Sequence, residues 1–213
     1  MPYSTFIEDF KAATSNAPTQ EALVFVHGYN VTFEDAALRA AQLAHDLKFP
    51  GVAAFYSWPA NGHTVAYTWD ETSVDTASEH LKAFLETLAR AGDLKAIHLI
   101  AHSMGTRCAT AAVLTGLKLE NCQLDQFILA APDIDAEKFK GFLPDLTTKI
   151  GRLTLYASSK DRALQGSHFA HNYPRAGDSG QGIIVMNKLE SIDASNVKTD
   201  WLGHSYYGSS RSC

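Results

Sequence analysis

The stretch that most constrains this fold is Ile97-His98-Leu99-Ile100-Ala101-His102-Ser103-Met104-Gly105, an apolar run that stops at a serine set between small residues. It reads as a nucleophile elbow. In such a turn a strand feeds sharply into a helix, and the serine is held in strained backbone geometry with its hydroxyl above the sheet. The residues two before and two after it must be small, so that strand and helix can approach. Ala101 and Gly105 meet that requirement. Glycine usually fills both places, so Ala101 departs from the pattern by one methyl group. A small-x-Ser-x-Gly match is weak by itself, because Ser and Gly are common in turns. Its setting strengthens it: a strand-like run precedes it and the helix-compatible Thr106 to Lys118 follows.

Along the rest of the chain, short β-rich runs alternate with longer helix-compatible stretches, which predicts a doubly wound, mostly parallel sheet of about six strands with helices on both faces. Strands are expected at Ala22 to Val26, Val52 to Trp58, Ala96 to Ile100, Gln126 to Ala131, Leu153 to Ala157 and near Ile183 to Ile192. Phe33 to Leu47 reads as an Ala-rich helix with Thr32 as N-cap and Asp35 in its first turn. Tyr67 to Ala91 carries Leu81, Phe84, Leu85 and Leu88 three and four apart, as a core-facing helix requires. Pro-punctuated sequence runs on to Ile150, and Ala176 to Gly182 reads as an exposed loop rich in Gly, Ser and Asp.

Composition narrows the function classes. The chain has 213 residues, 46% of them hydrophobic and 19% charged, enough for one sizeable core, so residues 1–213 are expected to form a single domain. A net charge of -5 provides no basic field for phosphate backbones, and nucleic acid is not expected as a partner. Cys108, Cys122 and Cys213 are an odd, widely spaced set without a C-x-x-C pair, which suggests reduced thiols and a cytoplasmic setting. Met1 to Thr19 shows no basic start and no unbroken apolar stretch, and no membrane span is visible; a leader already removed from a longer protein would escape this reading. No histidine and carboxylate pair has metal-ligand spacing on one helix, so neither a metal nor another cofactor is expected. Nothing in the residues fixes an oligomeric state.

Several ordered segments now resemble the α/β-hydrolase superfamily and, more narrowly, a small bacterial branch of uncharacterised serine hydrolases. They are Phe25-Val26-His27-Gly28-Tyr29-Asn30, Phe55-Tyr56-Ser57-Trp58-Pro59, the elbow, Ala131-Pro132-Asp133-Ile134-Asp135, Ser158-Ser159-Lys160-Asp161-Arg162-Ala163-Leu164 and Gly203-His204-Ser205-Tyr206-Tyr207. The resemblance implies a minimal version of the fold without the two N-terminal antiparallel strands of larger members, since only about 20 residues precede Ala22. It does not imply a substrate, because one fold hosts many chemistries.

A serine hydroxyl needs a base to take its proton, and that base needs a carboxylate to hold its tautomer. In this fold the chain order is Ser, then Asp or Glu, then His. His204 lies beyond the final expected strand and is the candidate base. His168 and His171 precede that strand in a polar segment and read as loop histidines, while His27 and His102 read as packing or hydrogen-bonding residues beside the site. Asp161, after the Leu153 to Ala157 strand, is the expected acid, and the resemblance points to the same residue. Asp133 and Asp135 after the preceding strand are the alternatives, although Asp135 ahead of Ala136-Glu137-Lys138-Phe139 also fits an N-cap. Oxyanion donors are expected from the backbone N–H groups of Met104 and Tyr29. Ser57, Trp58 and Tyr67 are candidates to line the cleft, or equally to pack in the core or at its rim.

These expectations describe a serine carboxylesterase with Ser103, Asp161 and His204 as its triad. About 20 residues separate Pro132 from Arg152, too few for a large cap domain, which favours small or short-acyl esters. Amidase, thioesterase or lipase chemistry would use the same residues. A silent hydrolase-like interaction domain is the reading from a different class, and reaction with a fluorophosphonate separates it from an enzyme.

Overall fold

In a computed structural model of the chain, the described residues are 3–58, 67–164 and 173–197, with the side chains of 67–75 outside that description. The elements are α1 (Tyr3–Asn16), β1 (Glu21–Val26), α2 (Phe33–Asp46), β2 (Val52–Tyr56), α3 (Tyr67–Ala91), β3 (Ala96–His102), α4 (Gly105–Leu114), β4 (Gln123–Ala130), α5 (Ala136–Leu146), β5 (Arg152–Ala157) and β6 (Leu189–Asp193). The strands form one sheet in the order β2-β1-β3-β4-β5-β6, and every pairing is parallel. This is a doubly wound α/β-hydrolase-like fold, and no large cap is present among the described residues.

Strand alternation divides the core. Ala22, Val24 and Val26 of β1, with Ile97, Leu99 and Ala101 of β3, face one layer, where they meet Leu81, Leu85 and Leu88 of α3 and the small residues Ala109 and Ala112 of α4. Leu23 and Phe25 point the other way, onto Ala40 and Leu43 of α2, together with Ile100. The period-2 pattern of a strand covered on both sides thus separates the two helical layers.

The end of α2 closest to the site forms as its sequence dictates. The Thr32 hydroxyl accepts from the Asp35 N–H at 3.1 Å, and Glu34 and Asp35 place negative charge at the positive end of the helix. Helix α4 stops at Leu114 rather than at Lys118, because Gly116 takes a φ of +95° and turns the chain away.

The residues ahead of β1, to which the sequence pattern assigns no element, form α1, in which Phe6 and Phe10, one turn apart, stack together while Phe6 meets Phe84. Other expectations need correction. The second strand ends at Tyr56, two residues short of Trp58. The last strand is confined to Leu189–Asp193: Lys188 adopts a φ of +60° and Leu189 N–H bonds back to Met186, so Ile183, Ile184 and Met186 pack on the core as loop residues. The segment from Ala176 to Gly182 is exposed only in its second half. Ala176 and Gly177 are buried, with the Ala176 N–H on Ile134 O and the Gly177 N–H on Pro132 O.

Candidate active site

After β1 the chain crosses to β2 on one side, and later returns as β3 on the other. The helices that follow β1 and β3 therefore pack on opposite faces of the sheet, and the C-terminal end of such a switch point is the usual ligand position in sheets of this kind. Ser103 stands at that switch point, immediately after β3. Its φ of +52° lies in the left-handed region, which costs a non-glycine residue roughly 1–2 kcal/mol. The surroundings hold it there: its N–H donates to Ala130 O at 2.9 Å, and its carbonyl accepts from Thr106 N at 3.1 Å and from the Thr106 hydroxyl at 2.5 Å. The Asp133 N–H reaches the same carbonyl at 3.3 Å.

Two glycines set the close approach. A Cβ built on Gly105 would lie 2.2 Å from the His27 carbonyl oxygen, so only glycine lets α4 start this near β1. A Cβ on Gly28 would lie 2.8 Å from Ser103 Cβ and 3.0 Å from His102 Nδ1. The backbone after β1 thus rests directly against the serine. Met104, fully buried, begins α4 in helical geometry without a side-chain cap, which leaves the positive end of the helix beside Ser103. Tyr29 packs half-buried on the main core, and Asn30 follows it at a φ of +54°.

His27 is fully buried. Its ring stacks on Trp58 with centroids 5.2 Å apart and planes 11° apart, while the Trp58 indole N–H donates to His27 O at 2.9 Å. Nδ1 lies 2.9 Å from Gly28 O, and a carbonyl can only accept, so Nδ1 carries a proton, while Nε2 stands 3.2 Å from the Ser57 hydroxyl. His27, Ser57 and Trp58 together brace the Gly28 loop. Trp58, at 2% exposure, belongs to the main core cluster, with its indole N–H spent on this bracket. Tyr67 opens α3, and its side chain lies outside the described residues.

The three acids have distinct settings. Asp161, beyond the end of β5, has no exposed surface, and its Oδ1 accepts from the Leu164 N–H at 3.0 Å. Asp133, beyond β4, is also buried, with Oδ1 3.2 Å from Arg175 Nε. Asp135 caps α5, accepting from the Lys138 N–H at 2.8 Å. All three stand at the same end of the sheet as Ser103. His204, His168 and His171 lie outside the described residues.

Sequence reasoning missed Arg175. Its partner Asp133 is about 40 residues earlier, and the pairing follows from the segment 174–177 running along 132–136, with an antiparallel bridge between Asp135 and Arg175. A long-range contact of this kind leaves no periodic mark in the sequence. Among the described residues no three His, Cys, Asp or Glu side chains gather as a metal site, and no helix is long and apolar enough to cross a membrane.

Comparison with known proteins places these observations. Among solved structures, the chain is similar to a predicted CIB-like hydrolase from Thermoplasma acidophilum, at 14% identity and a TM-score of 0.47, covering 89% of this chain and 82% of that one. It is similar as well to esterase 2 of Thermogutta terrifontis, at 12% identity and a TM-score of 0.48, covering 92% and 77%. A lipase-esterase related protein from Clostridium acetobutylicum gives 11% identity and a TM-score of 0.46, covering 84% and 86%. No curated protein matches the chain. The family model described as alpha/beta hydrolase of unknown function (DUF900) matches residues 4–213, and the chain belongs to that family.

Proposed function

We propose that this single-domain chain is a serine hydrolase that cleaves small or short-acyl carboxylic esters, with Ser103 as nucleophile, His204 as base and Asp161 as the acid that orients it. The observation that carries the reading is the strained, left-handed Ser103 at the switch point, with the Gly28 backbone against its Cβ. Strain of this kind persists where the surroundings over-determine it, and it is concentrated at functional sites.

In the proposed reaction the Ser103 hydroxyl oxygen bonds to the ester carbonyl carbon as its proton passes to the His204 imidazole. The oxyanion is met by the N–H groups of Met104 and Tyr29. Collapse of the tetrahedral intermediate breaks the bond to the alkoxy oxygen, and the departing alcohol takes the proton from His204. Water then attacks the acyl-enzyme while His204 takes its proton. The carboxylic acid leaves as Ser103 regains its hydrogen.

Asp161 is favoured over Asp133 because the Asp133 carboxylate already stands against the Arg175 guanidinium, and over Asp135 because that side chain is spent on a helix cap. The short passage through α5 between β4 and β5 leaves little material to enclose a long acyl chain, in keeping with a small substrate.

The test is turnover of a short-chain ester by wild type and Ser103→Ala at matched folded fraction. The reading expects kcat to fall by about 10⁴-fold or more, and retained turnover would remove it. A chain that folds normally, hydrolyses no ester and takes no fluorophosphonate label would instead favour the interaction-domain reading.

A further inference from the structure

Beside the elbow lies a cavity of about 540 Å³ whose walls include Arg107, Asp133, Ile134, Lys138, Tyr173 and Arg175. Two of its wall residues bond to the backbone of the elbow. Asp133, in its wall, donates its N–H to Ser103 O at 3.3 Å, and Arg107 lies in the first turn of α4, its N–H on Met104 O at 3.0 Å.

Arg175 is the unusual member. Its side chain is only 6% exposed, and among the described residues neither Nε nor Nη2, both buried, has a hydrogen-bond acceptor. The Asp133 carboxylate oxygen 3.2 Å from Nε balances the charge but does not satisfy these donors. Buried donors left unmade cost about 1–3 kcal/mol each, more on a charged group, so a guanidinium retained in this state calls for an acceptor beyond those the described residues supply. The other acids in the wall are committed elsewhere: Asp135 caps α5, and Glu137 pairs with Lys140 at 2.8 Å. Arg107, the exposed Lys138 and the N-terminal end of α5 add positive potential to the same space.

We infer that this cavity is a subsite for an anionic group, a carboxylate carried by the substrate on the half of the ester that extends away from Ser103 toward α5. The inference rests on the serine-hydrolase reading and narrows its substrate class to esters with a free carboxylate. The Arg175 Nη2 would donate to that carboxylate, with Arg107 and Lys138 contributing charge at the mouth.

The experiment compares kcat/KM for matched esters by titrating the acid released. Methyl hydrogen glutarate against methyl valerate places the charge on the acyl half, and 3-acetoxypropionate against propyl acetate places it on the alcohol half. Wild type should prefer the charged member of one pair by about tenfold or more, mainly through KM, and which pair it is identifies the half that enters the cavity. That preference should fall severalfold in Arg107→Gln and in Lys138→Gln, and further in the double variant. Arg175→Gln would add to this, but its fold is at risk from the unpaired Asp133, so the surface variants carry the test. No preference in either pair, or a preference unchanged in the double variant, overturns the inference. If Ser103 is labelled by a fluorophosphonate and neutral esters turn over without such a preference, the subsite alone fails. If neither labelling nor turnover occurs, the hydrolase reading fails and takes the subsite with it.

Discussion

Gly105 and His27 are locked together through backbone alone: a methyl group on Gly105 Cα would sit 2.2 Å from the His27 carbonyl oxygen. The same carbonyl accepts from Trp58, so it cannot simply swing away. Gly105→Ala is therefore expected to separate α4 from β1 and to destabilise the fold by about 3 kcal/mol or more, measured by urea unfolding. A variant of wild-type stability would mean that the elbow can relax.

The left-handed Ser103 gives a signed prediction. Glycine occupies this region without a Cβ penalty and alanine does not, so Ser103→Gly should be more stable than Ser103→Ala by about 1 kcal/mol, although both lack the hydroxyl. Equal stability, or the reverse order, would show that the backbone at this position is not strained.

The acids separate by the type of damage. Asp161→Asn should lower kcat by about 10⁴-fold at neutral pH, since it would leave the imidazole in the wrong tautomer and its cation uncompensated. Asp133→Asn should act first on stability, costing about 3 kcal/mol, because it removes the counter-charge of buried Arg175. A severe catalytic lesion at Asp133, with Asp161→Asn near wild type, would move the acid to the end of β4.

Much of this was legible because local chemistry and global fold agree. The Thr32 cap, the Leu81, Leu85 and Leu88 spacing and the apolar run into Ser103 each state their structure within a few residues. What the sequence hid was decided at long range. Helix α1 is held by Phe6 against Phe84, and β6 is cut short by a left-handed turn at Lys188, a residue type that does not itself favour that backbone. The Asp133–Arg175 pair joins two loops, and the stack of Trp58 on His27 links residues 31 positions apart. Of the triad expected from the sequence, Ser103 and Asp161 stand at the same end of the sheet, while His204 lies outside the described residues.

Alkaline pH should expose Tyr56. Its hydroxyl donates to Ala77 O at 3.2 Å, and its pKa is pushed up to about 12, first by burial and second by the neighbouring Cys108 thiol. A tyrosine in the unfolded chain ionises near pH 10. The native state is thus favoured in full below about pH 10, and this contribution is lost as pH rises from there toward 12. Tyr56→Phe should flatten the fall in stability over that window, as followed by denaturant midpoints, and a variant with the wild-type slope would contradict the assignment.

The most direct measurement is covalent: treat the folded protein with a fluorophosphonate, digest it with trypsin and locate the adduct by mass spectrometry. The account predicts one phosphonylated site, Ser103, within the tryptic peptide Ala96–Arg107, and no adduct in Ser103→Ala. Labelling at another residue, or folded protein that takes no label, would contradict it.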